Sequence, residues 1–160
     1  MIFSIFAGVE KTLLNKTIRQ PLVRLIDAEM TECMAEWCVA HVLRYHLDLD
    51  KFIKPEKKEW ITCNKERLLA NQVHIGILGL GTLGAATANK FKKLDFKVAG
   101  WSANEKRISG VNSLVGQDGL RQILSTSDYL ILLLPLTERT KTIINSATLK
   151  FVKNGAVVIN

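Results

Sequence analysis

The stretch Val73-His74-Ile75-Gly76-Ile77-Leu78-Gly79-Leu80-Gly81-Thr82-Leu83-Gly84 decides how this sequence folds. Its first half is a short, nearly continuous apolar run, the pattern of a strand buried on both faces of a parallel sheet. Glycines then follow at 79, 81 and 84, and a helical pattern runs from Thr82 to Leu94, with Ala85, Ala86 and Ala88 as small packing residues. A strand that passes through three glycines at this spacing into a helix has a chemical use. Gly79 permits a tight turn, Gly81 lets the main chain approach a pyrophosphate, and Gly84 lets helix and strand pack closely. The first amides of the helix then offer free N–H groups and a partial positive charge to phosphates. A glycine-rich turn without a ligand is the plain alternative, and the flanking strand and helix favour the dinucleotide.

Working outward, Phe96 to Trp101 reads as a second strand and Asp118 to Ser125 as a short helix. Asp128 to Leu136 reads as a third strand stopped by Pro135, which has no N–H to give a ladder. Glu138 to Phe151 reads as a helix with a break, and Gly155 to Asn160 as a fourth strand. Strands alternating with helices mean βαβ units, so the fold class is α/β, a Rossmann-type parallel sheet flanked by helices. Upstream, a strand-like start and a mixed stretch precede a helical pattern from Thr31 to Phe52. Met30, Met34, Trp37, His41 and Arg44–Tyr45 recur at helical steps, Val42, Leu43 and Leu47 widen the stripe, and Thr31 is the expected cap. Pro55 and the run Lys54–Lys58 end it, and residues 55–72 read as a polar loop anchored by Trp60. The chain therefore divides near residue 70, into 1–70 and 71–160.

The 160 residues carry 22 Lys and Arg against 15 Asp and Glu, a formal charge of +7, and 48% are apolar. That balance excludes a disordered chain and permits one sizeable core. The basic residues are scattered and form no nucleic-acid motif, so nucleic acid is not expected as a partner. The longest apolar run, Tyr129 to Leu136, is far below the ~20 residues of a membrane span. The start, MIFSIFAGVEK, makes a poor signal peptide. Cys33, Cys38 and Cys63 have no metal-ligand spacing and read as reduced thiols of a cytoplasmic protein, the first two as small core residues. His41, His46 and His74 join no catalytic triad, carboxylate pair or metal cluster. Both ends of the chain look like core strands, which suggests part of something longer.

The second strand ends at Gly100-Trp101-Ser102. An NAD-binding fold usually places Asp or Glu there to hold the ribose 2′-OH. Here Ser102 stands in that place, followed by Lys106 and Arg107, with Glu105 partly offsetting them. A hydroxyl and cations suit a 2′-phosphate, so NADP(H) is expected, with NAD(H) possible. Leu134-Pro135-Leu136-Thr137 lies at the carboxyl end of the third strand, where open α/β sheets bind ligands.

These residues resemble the D-isomer-specific 2-hydroxyacid dehydrogenases, and within them the glyoxylate/hydroxypyruvate reductase A branch. Ser4 to Glu10 resembles the family's S-x-x-A-G-V-D loop, and Met34-Ala35-Glu36 the V-A-E of its long interdomain helix. Gly79 to Gly84 matches the cofactor motif, and Gly100-Trp101-Ser102 resembles the branch's W-S-R. Leu134-Pro135-Leu136-Thr137, Thr140 and Ile144-Asn145 resemble L-P-x-T…T…I-N, and Gly155 to Asn160 resembles the G-A-x-x-I-N strand.

The resemblance implies roles. Ala7, Gly8 and Val9 would offer backbone amides to a substrate carboxylate. Thr82 and Leu83 would sit on the pyrophosphate, Trp101 and Ser102 beside the adenosine ribose, and Leu134, Pro135 and Thr140 near the nicotinamide. The branch carries a basic residue right after Trp-Ser, where this sequence has Ala103, so a 2′-phosphate would rely on Lys106 or Arg107. The family's catalytic Arg, Glu and His fall beyond the position matching Asn160, and the first part of its substrate domain precedes the A-G-V loop. The implied reaction is reduction of a small 2-oxo acid such as glyoxylate or hydroxypyruvate to the D-2-hydroxy acid. This chain would supply mainly cofactor binding, with residues 1–70 as the remnant of the substrate domain. A non-catalytic dinucleotide-binding or interaction fragment is the second reading. The long helix implies a homodimer, with Trp37 and Trp60 as anchors.

Overall fold

The computed structural model describes residues 1–6, 8–53 and 67–160. In chain order the elements are β1 (Ile2–Ser4), α1 (Glu10–Leu13), β2 (Leu22–Arg24), α2 (Ala28–His46), α3 (Asp50–Ile53), β3 (His74–Leu78), α4 (Thr82–Lys93), β4 (Lys97–Trp101), β5 (Asn112–Leu114), α5 (Gly116–Thr126), β6 (Tyr129–Leu132) and β7 (Val157–Ile159). Short 3-10 turns lie at Ala70–Gln72 and Leu149–Phe151.

Two parallel sheets result. β1 and β2 form a small pair, and β5-β4-β3-β6-β7 form a five-stranded sheet with every neighbour parallel. The expected apolar runs form strands for the reason given by their pattern. Along β3, Ile75 and Ile77 join one core cluster with Cys38, Val42, Ala88 and Phe91. Leu78 joins the other with Leu120, Ile123, Leu124 and Leu130. Alternate residues of one strand thus serve opposite faces, which requires apolar side chains at every step. α4 and α2 cover the first face and α5 the second. Each fully buried Ile or Leu contributes about 1.5–3 kcal/mol. Phe91 and Phe96 add an edge-to-face contact at 5.6 Å.

The strand order places the switch of direction between β3 and β6. From β3 the chain winds outward through β4 to β5, and then returns to build β6 and β7 on the other side. Loops leaving the carboxyl ends of β3 and β6 diverge there, and the gap between them is where such sheets hold ligands.

The long helix departs from expectation in its cap, its end and its inward face. The long helix begins at Ala28, because Asp27 caps it by accepting the Glu29 amide at 3.0 Å. Thr31 lies inside the first turn and donates to the Asp27 carbonyl at 2.8 Å. The helix stops at His46, where Asp48 takes a positive φ of 54°, and restarts as α3 across an Arg44–Asp50 ion pair of 2.8 Å. Its inward face is Thr31, Ala35, Cys38 and Val42, while Met34, Trp37 and Tyr45 are exposed. Small side chains at 35 and 38 let α2 approach α4 closely, and an apolar stripe read from sequence weighs size rather than fit. Lys90 of α4 reaches Glu32 at 2.8 Å and Glu36 at 3.3 Å across the same contact.

Cys38 is buried as expected, but Cys33 is exposed, and Cys63 lies outside the described residues. So do Trp60 and most of the polar loop around it.

The helix expected over Glu138–Phe151 is a series of turns ending in the 3-10 turn. Polar side chains there compete with a helical ladder. Asn145 Oδ1 accepts the amides of Ala147 and Thr148 at 2.8 and 3.1 Å, and Thr148 Oγ1 accepts the Asn145 amide at 2.8 Å. The edge strand β5 and the strand β2 were not expected. Both are three residues long, too short to show a pattern.

The segment around β1 and β2 has no core of its own. Among the described residues up to Asp27 none is buried, and Phe3, Ile5, Phe6, Leu13 and Leu14 are all exposed.

Candidate functional site

The glycine loop is built as its spacing requires. Gly79 has φ +110°, which L side chains rarely adopt, and its amide donates to the Trp101 carbonyl at 2.8 Å. A Cβ on Gly79 would meet the Leu133 carbonyl oxygen at 2.6 Å. Gly79 is therefore wedged between the carboxyl ends of β4 and β6. A Cβ on Gly84 would lie 1.8 Å from the Gly79 carbonyl oxygen, so only glycine lets the first turn of α4 close onto the turn before it. Gly81 is the opposite case. A Cβ there would meet nothing within 4 Å. The space over Gly81 is open, and it lies over the amino end of α4.

That helix end is electrostatically prepared. Gly81 is its N-cap, with no side-chain cap and no acidic residue in the first turn. The Ala85 amide donates to the Gly81 carbonyl at 2.9 Å and starts the ladder. The amides of Thr82, Leu83 and Gly84 precede it, exposed or half-buried at 82 and 83. Unpaired N–H groups and the dipole suit a phosphate group here. An open cradle, uncapped amides and no opposing acid together fit the pyrophosphate of a dinucleotide.

The two ends of the crevice differ in chemistry. At the β4 end, Trp101 donates its indole N–H to the Gly116 carbonyl at 2.8 Å. Ser102 is nearly buried, its amide donates to the Leu114 carbonyl at 3.1 Å, and its hydroxyl donates to the Asn104 carbonyl at 2.7 Å. The Ser102 proton is thus committed within the loop. An incoming phosphate, which only accepts, would draw on Lys106 and Arg107, both exposed. Among the described residues neither cation has an ion-pair partner.

At the β6 end, Leu134, Pro135 and Thr140 line a concavity of about 310 Å³ with Leu132, Ile143 and Asn160. Thr140 shapes it. Its hydroxyl bonds the Pro135 carbonyl and accepts the Thr137 amide at 2.8 Å, folding the loop back on itself. The wall is mainly aliphatic, which suits a flat ring more than a charged group.

Of the residues expected for the cofactor, the glycine loop lies against Trp101 and Leu133 at the ends of β4 and β6, and Leu134, Pro135 and Thr140 line the concavity beside them. Of the three residues expected for the carboxylate site, the structure describes two. Gly8 is exposed and Val9 is the N-cap of α1. Ala7 lies outside the described residues. Among the described residues no hydrogen bond joins Gly8 or Val9 to the glycine loop. Sequence reading missed Asn160 as a wall of the concavity, and Ser113, whose hydroxyl accepts the Lys106 amide at 3.0 Å. Glycines at 110 and 116 mark the turns on either side of that edge strand and are the signal that was available.

Comparison with known proteins agrees with this geometry. The profile of the D-isomer specific 2-hydroxyacid dehydrogenase, NAD binding domain, matches residues 37–160. The chain is 34% identical over 168 residues to the glyoxylate/hydroxypyruvate reductase A of Yersinia enterocolitica, covering 99% of this chain and 53% of that protein. The chain therefore spans about half the length of the curated relatives it matches.

Among solved structures, a D-isomer specific 2-hydroxyacid dehydrogenase from Xanthobacter autotrophicus, in complex with NADPH and MES, superposes with a TM-score of 0.90 at 31% identity. The match covers 99% of this chain and 50% of that one. An NADPH-dependent glyoxylate/hydroxypyruvate reductase from Sinorhizobium meliloti, in complex with NADP and sulfate, gives a TM-score of 0.77 at 34% identity. It covers 94% of this chain and 48% of that one. On the profile match, the glycine loop and the parallel sheet that carries it, this chain belongs to the D-isomer specific 2-hydroxyacid dehydrogenase family.

Proposed function

We propose that this chain forms the nucleotide-binding half of an NADPH-dependent reductase of small 2-oxo acids of the glyoxylate and hydroxypyruvate type. The observation that carries the reading is the open space over Gly81 at the uncapped end of α4, set between the ends of β4 and β6. The nicotinamide supplies a hydride when bound. This chain's own residues hold and orient the cofactor. Gly79, Gly81 and Gly84 shape the cradle, and the amides of Thr82 and Leu83 meet the pyrophosphate. Trp101 and Ser102 border the adenosine ribose, with Lys106 and Arg107 beside a 2′-phosphate. Leu134, Pro135 and Thr140 shelter the nicotinamide ring from water. Ala7, Gly8 and Val9 present amides to the substrate carboxylate.

In this reading residues 1–70 belong to the substrate lobe and connecting helix, and residues 71–160 to the nucleotide domain. The NADP(H) choice rests on two features of this chain, a serine rather than an acid directly after Trp101 and the cations Lys106 and Arg107, which have no ion-pair partner among the described residues. The relatives' NADP complexes support it. The exposed α2 face around Trp37 supports a homodimer. Among the described residues no helix is long and apolar enough to cross a membrane, and we place the protein in the cytoplasm.

Calorimetric titration with NADPH and NADH tests the reading. Wild type binds NADPH more tightly, and replacing both Lys106 and Arg107 by Ala lowers NADPH affinity about tenfold or more while leaving NADH nearly unchanged. Equal binding of the two cofactors to wild type overturns the choice. Glyoxylate turnover by this chain alone overturns the assignment of a mainly cofactor-binding role.

A further inference from the structure

The link from β4 to β5 contains no regular element. It joins two adjacent parallel strands through residues 102–111 without a helix. It also carries the exposed cations Lys106 and Arg107. Its first end is tied to β5 by the Ser102 amide on the Leu114 carbonyl at 3.1 Å; its second closes in a turn, the Val111 amide on the Ile108 carbonyl at 3.0 Å, with Lys92 of α4 donating to the Ser109 carbonyl. Between them, residues 103–107 make a single hydrogen bond to the sheet among the described residues, from the Lys106 amide to Ser113 Oγ at 3.0 Å.

Ser113 is the central residue of β5 and pairs with Gly100 in the register. It is thus fixed by a strand, while Lys106 and Arg107 are exposed on a loop. The neighbouring Trp101 indole donates to the carbonyl of Gly116, the first residue of α5.

We propose that Ser113 is a positioning residue for cofactor choice: its hydroxyl holds the Lys106 amide and so fixes the turn that presents the Lys106 and Arg107 cations to a 2′-phosphate. The inference rests on the NADP(H) reading above and extends it to a residue that touches no cofactor atom. The physical reason is geometric. A charge-assisted contact depends on distance and alignment, and two long cationic side chains on an untethered loop lose that alignment. The amide tie restricts the loop before the ligand arrives, so less ordering accompanies binding.

Titration of the 160-residue chain with 2′,5′-ADP and 5′-AMP tests this without any catalytic assay. The two probes differ only in the 2′-phosphate. Ser113→Ala is expected to lower 2′,5′-ADP affinity about three- to tenfold, the range of one lost hydrogen bond, with 5′-AMP unchanged. Ser113→Thr and Ser113→Val provide a matched pair of one shape, suited to a strand and differing in the hydroxyl. Thr keeps the wild-type ratio of the two affinities and Val loses it, which separates positioning from strand packing even if alanine loosens the edge.

An unchanged ratio in both Ala and Val variants overturns the inference, as does an equal loss in Thr and Val. A wild type that does not prefer 2′,5′-ADP overturns the cofactor reading itself, and the inference with it. That outcome is visible before any variant is made.

Discussion

Two neighbouring glycines allow stability and binding to be separated. Gly84→Ala puts a methyl carbon 1.8 Å from the Gly79 carbonyl oxygen, well over an ångström inside ordinary contact. The obstacle is backbone and cannot swing aside, so α4 must shift away from the turn. Overpacking of this kind costs up to about 3 kcal/mol, and replacing a helical glycine by alanine returns about 1 kcal/mol. The net loss is about 2 kcal/mol, or roughly 4–8 °C in Tm for a chain of this size.

Gly81→Ala meets nothing within 4 Å, and its φ of −75° and ψ of −162° are open to alanine. Exchanging an N-cap glycine for alanine costs about 0.5 kcal/mol, so Tm moves by only about 1–2 °C. The new methyl nonetheless fills the cradle. Losing one or two amide contacts to a charged phosphate weakens NADPH about 10- to 100-fold. Scanning fluorimetry and calorimetric titration of both variants read the two effects apart. A Gly81→Ala protein that binds NADPH like wild type refutes the placement of the pyrophosphate. So does a pair in which both variants lose stability equally and neither loses binding.

Asp128 stitches the amino ends of β3, β6 and β7 together. Its carboxylate accepts the His74 amide at 2.8 Å and the Lys153 ammonium at 2.6 Å, and its carbonyl accepts the Val157 amide at 2.9 Å. Burial pushes its carboxyl up, but Lys153 and the His74 amide outweigh burial and hold it below the usual carboxylate range. A folded-state value below the unfolded one stabilises the fold above about pH 4, and that contribution is lost as pH falls. Asp128→Asn therefore lowers Tm at pH 7 and flattens its decline between about pH 5 and pH 3; a parallel decline in both proteins contradicts the clamp. At the exposed face of α2, Trp37 is 43% exposed and stacks on His41 at 3.9 Å between ring centroids. Trp37→Glu is expected to convert a dimer to a monomer in light scattering, and a wild type already monomeric rules the interface out.

The sequence by itself determined the sheet and the cradle. Both faces of a parallel strand must be apolar, so Val73 to Leu78 and the start of the run Asp128 to Leu136 announce themselves without any neighbour, although β6 ends at Leu132, before Pro135 is reached. A backbone that must turn at positive φ and touch a helix at 1.8 Å tolerates glycine alone, so Gly79 and Gly84 carry their geometry in their identity. The tertiary structure decided what depends on contact. Which side of α2 faces inward was set by the close approach of α4, to which Ala35 and Cys38 yield room and Met34 and Trp37 do not. Whether residues 138–151 formed a helix was decided by Thr and Asn side chains finding nearby amides, a competition that apolar periodicity does not record. The partner of the Lys106 amide, Ser113, emerged only once β5 took its place beside β4. Three residues of edge strand carry too little pattern to be read alone, yet they fix the loop on which two cations stand.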